Sequence, residues 1–158
     1  MRVDEIALPE GHTARREVVE HPGAVVVIAV DEEDRVYLVR QYRHPIRQYL
    51  LELPAGTLEP GEEPLAAARR ELREEVGLLA GKWTRLGSFF SSPGFVSEHL
   101  HAFLAQELVE TDREPDDDED ITVVLYPRAE LLQHLDEIPD AKSLAALCLV
   151  PTAPMGSA

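Results

Sequence analysis

The sequence predicts a single α/β (α+β) domain in which helices pack on a mixed β-sheet. The 158 residues match the length of one ordinary domain, and 44% of them are hydrophobic, which suffices for one core. Strand-like and helix-like segments alternate along the chain, and several strand-like segments are joined by short loops. We expect the domain to span residues 1–150, with an N-terminal arm at 1–23 and a flexible tail at 151–158.

Six segments are predicted to form strands, because they are rich in β-branched or aromatic residues and most are bounded by turn residues. They are residues 24–30, 35–40, 48–53, 86–90, 99–105 and 121–126. Three segments are predicted to form helices, at residues 64–76, 128–135 and 142–149. The first begins with Pro64, which suits a first helical turn, and precedes Gly77, which suits a C-terminal cap.

The charge and apolar pattern of the chain argue against two classes of partner. With 15 lysines and arginines against 30 aspartates and glutamates, the net charge is −15, which repels nucleic acid and anionic lipid. The longest apolar runs contain seven residues, whereas a membrane-spanning helix needs roughly 20. We therefore expect no nucleic-acid partner and no membrane insertion.

The one cysteine, Cys148, lies in an apolar segment and is expected to be buried. A single cysteine forms no internal disulfide. The N-terminus also lacks the basic and apolar regions of a secretory signal. These features predict a cytoplasmic protein.

Residues 110–120 hold eight acidic residues and one arginine, and such a run is usually a solvated loop. A calcium-binding loop that starts at Asp116 is excluded, because its sixth and twelfth positions would be Ile121 and Pro127 rather than glycine and glutamate. The run carries nearly half of the excess negative charge.

Residues 35–51 show the opposite imbalance, with four arginines and no acidic residue. Arg40 and Arg43 are two of the four. The arginines either protect a sheet edge or bind an anionic ligand. The residues that follow, 56–78, favour the second interpretation, in which the arginines bind an anionic ligand.

Three carboxylates, Glu71, Glu74 and Glu75, lie at the edge of an apolar stripe in the predicted helix at residues 64–76. Like charges this close repel one another, and partial burial increases the cost. A bound cation would remove that cost, and carboxylate oxygens select Mg²⁺ or Mn²⁺ rather than zinc. On spacing alone, an exposed acidic face explains the pattern equally well.

The surrounding residues favour the metal site. The chain reads Gly56, five residues, Glu62, seven residues, Arg70-Glu71-Leu72, one residue, Glu74-Glu75, one residue, Gly77-Leu78. This spacing resembles the Nudix box at every defined position. The resemblance implies the Nudix fold, with a loop–helix–loop on an α/β/α sandwich whose mixed sheet lies between helices. It also implies Mg²⁺-dependent hydrolysis of a nucleoside diphosphate linked to another moiety.

Further segments resemble the ADP-ribose pyrophosphatases within this family. They are residues 38–43, 51–56, 92–95 with Glu98, and 138–142. Pro93, sixteen residues after Gly77, is the position that marks this subfamily. The resemblance implies hydrolysis of ADP-ribose to AMP and ribose 5-phosphate. The alternatives are another nucleoside diphosphate sugar, a dinucleotide, or a non-catalytic module that binds ADP-ribose.

The resemblance also implies roles for individual residues. The implied ligands of Mg²⁺ or Mn²⁺ are the Ala55 carbonyl, Glu71, Glu74, Glu75 and Glu98. The implied catalytic residues are Glu74, Glu75, Glu98, Glu119 as general base, and Arg70, which with Glu62 braces the loop against the helix. The implied substrate-binding residues are Arg43, Glu59, Arg15, Glu17 and Arg40. Asp117, Asp118 and Asp120 are alternatives to Glu119.

The resemblance also implies a homodimer. Residues Arg15, Arg16 and Glu17 of the N-terminal arm resemble a segment of the ADP-ribose pyrophosphatases that reaches the nucleotide of the partner subunit. The arm is shorter than is usual in the family and contains no aromatic residue that could stack on a base. Four aromatic residues elsewhere are expected in the core rather than at the ligand. They are Tyr42, Tyr49, Phe89 and Phe90.

Overall fold

The computed structural model of the chain describes residues 1–113, 120–131 and 133–150. Its strands are β1 (Arg2–Ala7), β2 (Thr13–Val18), β3 (Ala24–Val30), β4 (Arg35–Arg43), β5 (Gln48–Glu52), β6 (Ala55–Thr57), β7 (Leu78–Phe90), β8 (His99–Glu110) and β9 (Ile121–Pro127). Its helices are α1 (Pro64–Glu71), α2 (Arg128–Leu131) and α3 (Ala141–Cys148), with short helical turns at Pro9–Gly11, Leu72–Val76 and Leu135–Glu137.

The main sheet has seven strands in a mixed arrangement. Five of them follow the order β5-β4-β3-β8-β7, while β6 also pairs with β3 and β9 also pairs with β4. The β3–β8 pair is parallel, and the other pairs are antiparallel. Every residue of β3 is buried. This explains its unbroken apolar sequence, because a strand that is covered on both faces has no face in contact with solvent.

Helices cover both faces of this sheet. Alternate residues of β3 point to opposite faces, so Val26 and Ile28 join one core cluster and Val25 and Val27 join the other. The first cluster includes α3 residues, and the second includes α1 residues. The predicted fold class, a mixed sheet between helical layers, is confirmed.

Helix α3 is attached to the sheet by a buried hydroxyl. Asp140 caps the helix by accepting hydrogen bonds from the Ser143 backbone N–H at 3.0 Å and from its Oγ at 2.6 Å. The same Oγ accepts a hydrogen bond from the backbone N–H of Leu53 at 2.8 Å. Leu53 directly follows β5, so the position of α3 is coupled to the chain that leads from β5 into β6.

The N-terminal arm is a β-hairpin with little support of its own. Strands β1 and β2 pair antiparallel, from Arg2 opposite Val18 to Ala7 opposite Thr13, and none of residues 1–18 is buried. The arm meets the body through a parallel bridge between Val19 and Val96. An isolated two-stranded hairpin is marginally stable in water, so this arm needs a further surface to cover it.

Several predicted boundaries were wrong. Strands β7 and β8 are longer than predicted and pair along most of their length. The polar residues at their ends are held in the strands by backbone hydrogen bonds, which the pattern of hydrophobic residues in the sequence does not show. The predicted helix at 64–76 is α-helical only to Glu71 and continues as a π-helical turn. The hairpin strands β1 and β2 and the short strand β6 were not predicted.

Two burial predictions were also wrong. Cys148 is exposed, because one step along α3 from buried Leu147 turns the side chain about 100° around the helix. Tyr42, Tyr49 and Phe90 are exposed, whereas Phe89 packs against the core as predicted. Tyr42 and Tyr49 face each other across β4 and the terminal strand β5, at the rim of the sheet.

Among the described residues, no helix has both the length and the apolar character needed to cross a bilayer. The predicted acidic loop lies mostly at residues 114–119, outside the described residues, as does the predicted tail at 151–158.

Candidate active site

The guanidinium of Arg70 binds three of the carboxylates that were predicted from the sequence. Its Nε and Nη2 each donate to Glu62 at 3.0 Å, and its Nη1 donates to Glu71 at 2.7 Å and to Glu74 at 3.0 Å. Nη2 also donates to the backbone carbonyl of Thr57 at 3.1 Å. The hydrogen bond from Arg70 lowers the pKa of Glu62. The loop after β6 is therefore held against α1 by charge-assisted bonds.

Two box carboxylates are buried beside the start of β6. Glu75 is 2% exposed and Glu71 is 8% exposed. Glu75 Oε2 accepts a hydrogen bond from the Ala55 backbone N–H at 2.9 Å. A Cβ atom on Gly56 would lie 1.8 Å from Glu71 Oε1, so only glycine leaves room for this carboxylate. The structure therefore brings Glu71, Glu75 and the backbone of Ala55 and Gly56 together.

The end of the box helix adopts an unusual conformation. Leu72–Val76 is a π-helical turn, which ends at Gly77 in the left-handed region with φ of 75°. Single π-turns in α-helices occur often at functional sites, because the wider turn redirects side chains. Here the turn contains Glu74 and Glu75. Glycine adopts the left-handed conformation without a Cβ clash, so Gly77 can end the helix where the chain enters β7.

The donor set fits a hard divalent cation. Buried carboxylates such as those of Glu71 and Glu75 are oxygen ligands that Mg²⁺ and Mn²⁺ use, and Mg²⁺ keeps several waters as further ligands. In the part of the chain that the structure describes, no three His, Cys, Asp or Glu side chains converge as a ready-made metal cluster. Arg70 bonds Glu71 and Glu74. A bound ion would therefore compete with Arg70 for these two carboxylates.

Glu98 lies between β7 and β8, next to a histidine that the sequence analysis missed. Its Oε1 is 3.6 Å from His21 Nε2. His21 Nδ1 accepts a hydrogen bond from the Gly23 N–H at 3.2 Å, so the neutral ring carries its proton on Nε2, toward Glu98. No sequence motif surrounds His21, and only the fold places it beside Glu98.

Arg43 belongs to a buried ion-pair network. Its Nε and Nη2 donate to Glu52 at 2.8 and 2.7 Å, and Glu52 is 1% exposed. Lys142 Nζ donates to Glu52 and, at 2.9 Å, to Asp140. Hydrogen bonding to Glu52 raises the pKa of Arg43, and the charges of Asp140 and Glu75 add to the effect.

Burial raises the pKa of Glu52, but hydrogen bonding from Arg43 and the charge of Lys142 outweigh it, so the pKa lies below its ordinary value. Among these residues, the sequence assigned a role only to Arg43, although Glu52, Asp140 and Lys142 lie in the segments 51–56 and 138–142 that resemble the subfamily. A signal was present, since Glu52 interrupts an apolar segment between Leu51 and Leu53.

The remaining predicted substrate residues lie in three places. Glu59 is in the box loop, where its backbone N–H donates to Glu62 at 3.0 Å. Arg40 stacks its guanidinium 4.2 Å above the ring of Tyr49. Arg15 and Glu17 lie on β2, in the hairpin outside the main sheet that carries the box. Glu119 and its alternatives Asp117 and Asp118 are outside the described residues, whereas Asp120 accepts a hydrogen bond from the Tyr49 hydroxyl at 2.6 Å.

Comparison with known proteins places this site in a family. Residues 19–147 match the NUDIX domain. The chain is 44% identical over 149 residues to an ADP-ribose pyrophosphatase of Bacillus subtilis (strain 168), covering 92% of this chain and 80% of that protein. It is 40% identical over 151 residues to a methanol dehydrogenase activator of Bacillus methanolicus, covering 93% and 82%. A crystal structure of an ADP compounds hydrolase superposes with a TM-score of 0.77 at 27% identity, covering 94% of this chain and 89% of the other.

Gly56→Ala is expected to weaken divalent-cation binding by roughly tenfold to a hundredfold, because the added Cβ displaces Glu71. Calorimetric titration with Mg²⁺ or Mn²⁺ measures the effect. Gly94→Ala is the matched control, since a Cβ there has nothing within 4 Å. Equal cation affinity in Gly56→Ala and the wild type would remove Glu71 from the metal site.

Proposed function

Because the chain belongs to the NUDIX domain family, we propose that it is a divalent-metal-dependent hydrolase that cleaves ADP-ribose into AMP and ribose 5-phosphate. The observation that carries the reaction type is the buried pair Glu71 and Glu75 beside Ala55, with Arg70 holding Glu71. The name of the Bacillus subtilis relative, ADP-ribose pyrophosphatase, favours the substrate.

The box residues would hold the ion. Glu71, Glu75 and the Ala55 carbonyl are the proposed ligands of Mg²⁺ or Mn²⁺, and Glu74 and Glu98 share the coordination. When bound, the metal offsets charge on the pyrophosphate oxygens and lowers the pKa of the attacking water. Arg70 holds Glu71 and Glu74 before the ion arrives, and the ion would compete with its guanidinium for their oxygens.

The reaction transfers the phosphoryl group to water. The water oxygen attacks one phosphorus atom, the bridging P–O bond breaks, and the water proton goes to a general base. We assign that base to Glu119, with Glu98 as support. Glu119 lies in an acidic segment where several carboxylates are available, so a matched comparison among them tests the assignment.

Substrate binding is assigned to residues on either side of the box. Arg43 and Glu59 contact the diphosphate and the ribose end, and Arg40 adds positive charge. The exposed hairpin carries Arg15 and Glu17, which in a homodimer reach the nucleotide of the partner subunit. Neither a nucleic acid nor a membrane has a place in this proposal, since the net charge of −15 repels both.

The second candidate is the same chemistry on another ADP-linked compound, either a nucleoside diphosphate sugar or a dinucleotide. The similarity to an ADP compounds hydrolase favours it, since that name covers a wider substrate range. The third candidate is a non-catalytic module that binds ADP-ribose. The complete set of box glutamates argues against this candidate. Hydrolysis rates across ADP-ribose, sugar nucleotides, NADH and diadenosine polyphosphates separate the three. The cytoplasmic location stays a prediction, which cell fractionation tests.

Glu75→Gln is expected to remove nearly all hydrolysis of ADP-ribose, because it neutralises a buried metal ligand while keeping the shape of the side chain. The loss should reach several kcal/mol of barrier, at about 1.4 kcal/mol for each factor of ten. Rates with Mg²⁺ and with a chelator, beside a melting curve, provide the measurement. A folded Glu75→Gln protein with more than about a tenth of wild-type turnover would contradict the assignment.

Glu119→Gln is expected to lower kcat by about 10²- to 10⁴-fold with little change in KM, because it removes the proton acceptor and leaves the substrate contacts. Asp117→Asn and Asp118→Asn are the matched controls, and each should cost much less. If all three variants lose less than about threefold, the base lies elsewhere, with Glu98 next in line.

The homodimer is expected to depend on the hairpin. Light scattering should give the full chain twice its monomer mass, and deletion of residues 1–18 should yield a folded monomer with a raised KM for ADP-ribose. The reason is that the hairpin has no buried residue in a single chain and needs another surface. A monomeric full chain with normal KM would refute both the dimer and the assignment of Arg15 and Glu17.

A further inference from the structure

Glu52 is the most deeply buried charged residue beside the proposed substrate site, at 1% exposure. Its two oxygens accept the two-point bonds of Arg43, and one of them also accepts from Lys142. A buried carboxylate costs several kcal/mol unless it is paired and hydrogen-bonded, so both cations are needed to keep it ionised. With Asp140, the network holds two positive and two negative charges and is neutral.

The pairing fixes the orientation of Arg43. A guanidinium that binds a carboxylate through Nε and Nη2 uses one edge of its planar fork, and the Nη1 hydrogens stay available for a second anion. The Arg43 side chain is 38% exposed although its partner is buried, so the network anchors the arginine from within while its outer part reaches solvent.

The network is also coupled to the box. Glu52 ends β5, and Ala55 begins β6 three residues later. Between them, the Leu53 N–H is bound by Ser143, whose Oγ donates to Asp140 of the same network. The negative charge of Glu75 also contributes to the raised pKa of Arg43, so the guanidinium interacts electrostatically with one of the box carboxylates.

We propose that Glu52 is a positioning residue for the reaction: it holds Arg43 in the orientation that receives the phosphate groups of the substrate, and Lys142 keeps Glu52 ionised for that task. This inference rests on the proposed function and adds two residues to it. The alternative role is structural, in which the network only attaches α3 to β5. In the positioning role, replacing Glu52 changes substrate binding only because it changes the orientation of Arg43. In the structural role, the effect of replacing Glu52 does not depend on Arg43.

A double-mutant cycle separates the two roles. Glu52→Gln should raise KM for ADP-ribose by about tenfold to a hundredfold with a smaller change in kcat, because a misplaced arginine costs binding. Arg43→Ala should raise KM similarly. In the Arg43→Ala background, Glu52→Gln should add less than about twofold, since the residue it positions is gone. Multiplicative effects would overturn the proposal and leave Glu52 a structural role.

Glu52→Gln leaves the network with two positive charges and one negative charge, and the imbalance can destabilise the fold, so a charge-balanced variant accompanies it. Glu52→Gln/Lys142→Met removes one charge of each sign and leaves Arg43 and Asp140. It should keep the raised KM of Glu52→Gln, because Arg43 still lacks its carboxylate. A folded charge-balanced variant with wild-type KM would overturn the proposal.

Asp34→Asn provides the matched control. Arg128 binds Asp34 through Nε at 2.7 Å and Nη2 at 3.1 Å, the same two-point geometry at an exposed site. This control should leave KM unchanged, so an equal rise in KM there would also overturn the proposal.

Calorimetric titration of the metal-free proteins with ADP-ribose gives a second readout that does not require turnover. A wild type that neither cleaves nor binds ADP-ribose overturns the proposed function and this inference with it. A wild type that binds or cleaves it, together with multiplicative effects in the cycle, overturns this inference alone.

Discussion

Arg70 balances three carboxylates at the centre of a chain whose net charge is −15. Glu62, Glu71 and Glu74 would repel one another without it, and Glu71 is nearly buried, where unpaired charge is costly. The same guanidinium also binds the Thr57 carbonyl, so the loop and the helix cannot separate without breaking charge-assisted bonds. The position of the Glu71 carboxylate beside Gly56 depends on this arrangement.

The sheet contributes the other half of the site. Strand β6 pairs with central strand β3, so Ala55 and Gly56 have fixed positions opposite Val26 and Val25. A glycine at 56 then admits the Glu71 carboxylate, and the Ala55 N–H binds Glu75. Two buried acids are thereby aimed at one backbone segment, and a divalent cation is the ligand whose charge suits that arrangement.

Charge burial follows one pattern in this protein. Arg70 pairs with Glu62, Glu71 and Glu74 of the box, and Arg43 and Lys142 both pair with Glu52. Exposed acids need no such partner, which is how a chain with twice as many acids as bases remains folded. Lowered pKa values at Glu52 and Asp140 mean that both ion pairs stabilise the fold at neutral pH. That stabilisation is lost as acid protonates the carboxylates.

The sequence predicted the features that local spacing encodes. The strands at 24–30 and 121–126, the start of the box helix at Pro64, and the grouping of Glu71 and Glu75 follow from periodicity and from the box itself. Contacts between distant segments were not predictable in the same way. His21 meets Glu98, and Lys142 meets Glu52, across separations of 77 and 90 residues, and neither pair has a sequence pattern that joins its members.

The sequence by itself determined the fold class, the family and the identity of the box acids, because these depend on short-range spacing and on residue type. Only the tertiary structure decided which acids are buried, that Arg43 is held by Glu52, and that Tyr42 and Tyr49 are exposed. The physical reason is that burial and ion pairing depend on which surfaces meet in space. The periodicity of hydrophobic residues shows which face of a helix or strand packs against the core. How much of that face is covered depends on the other helices and strands that pack on it.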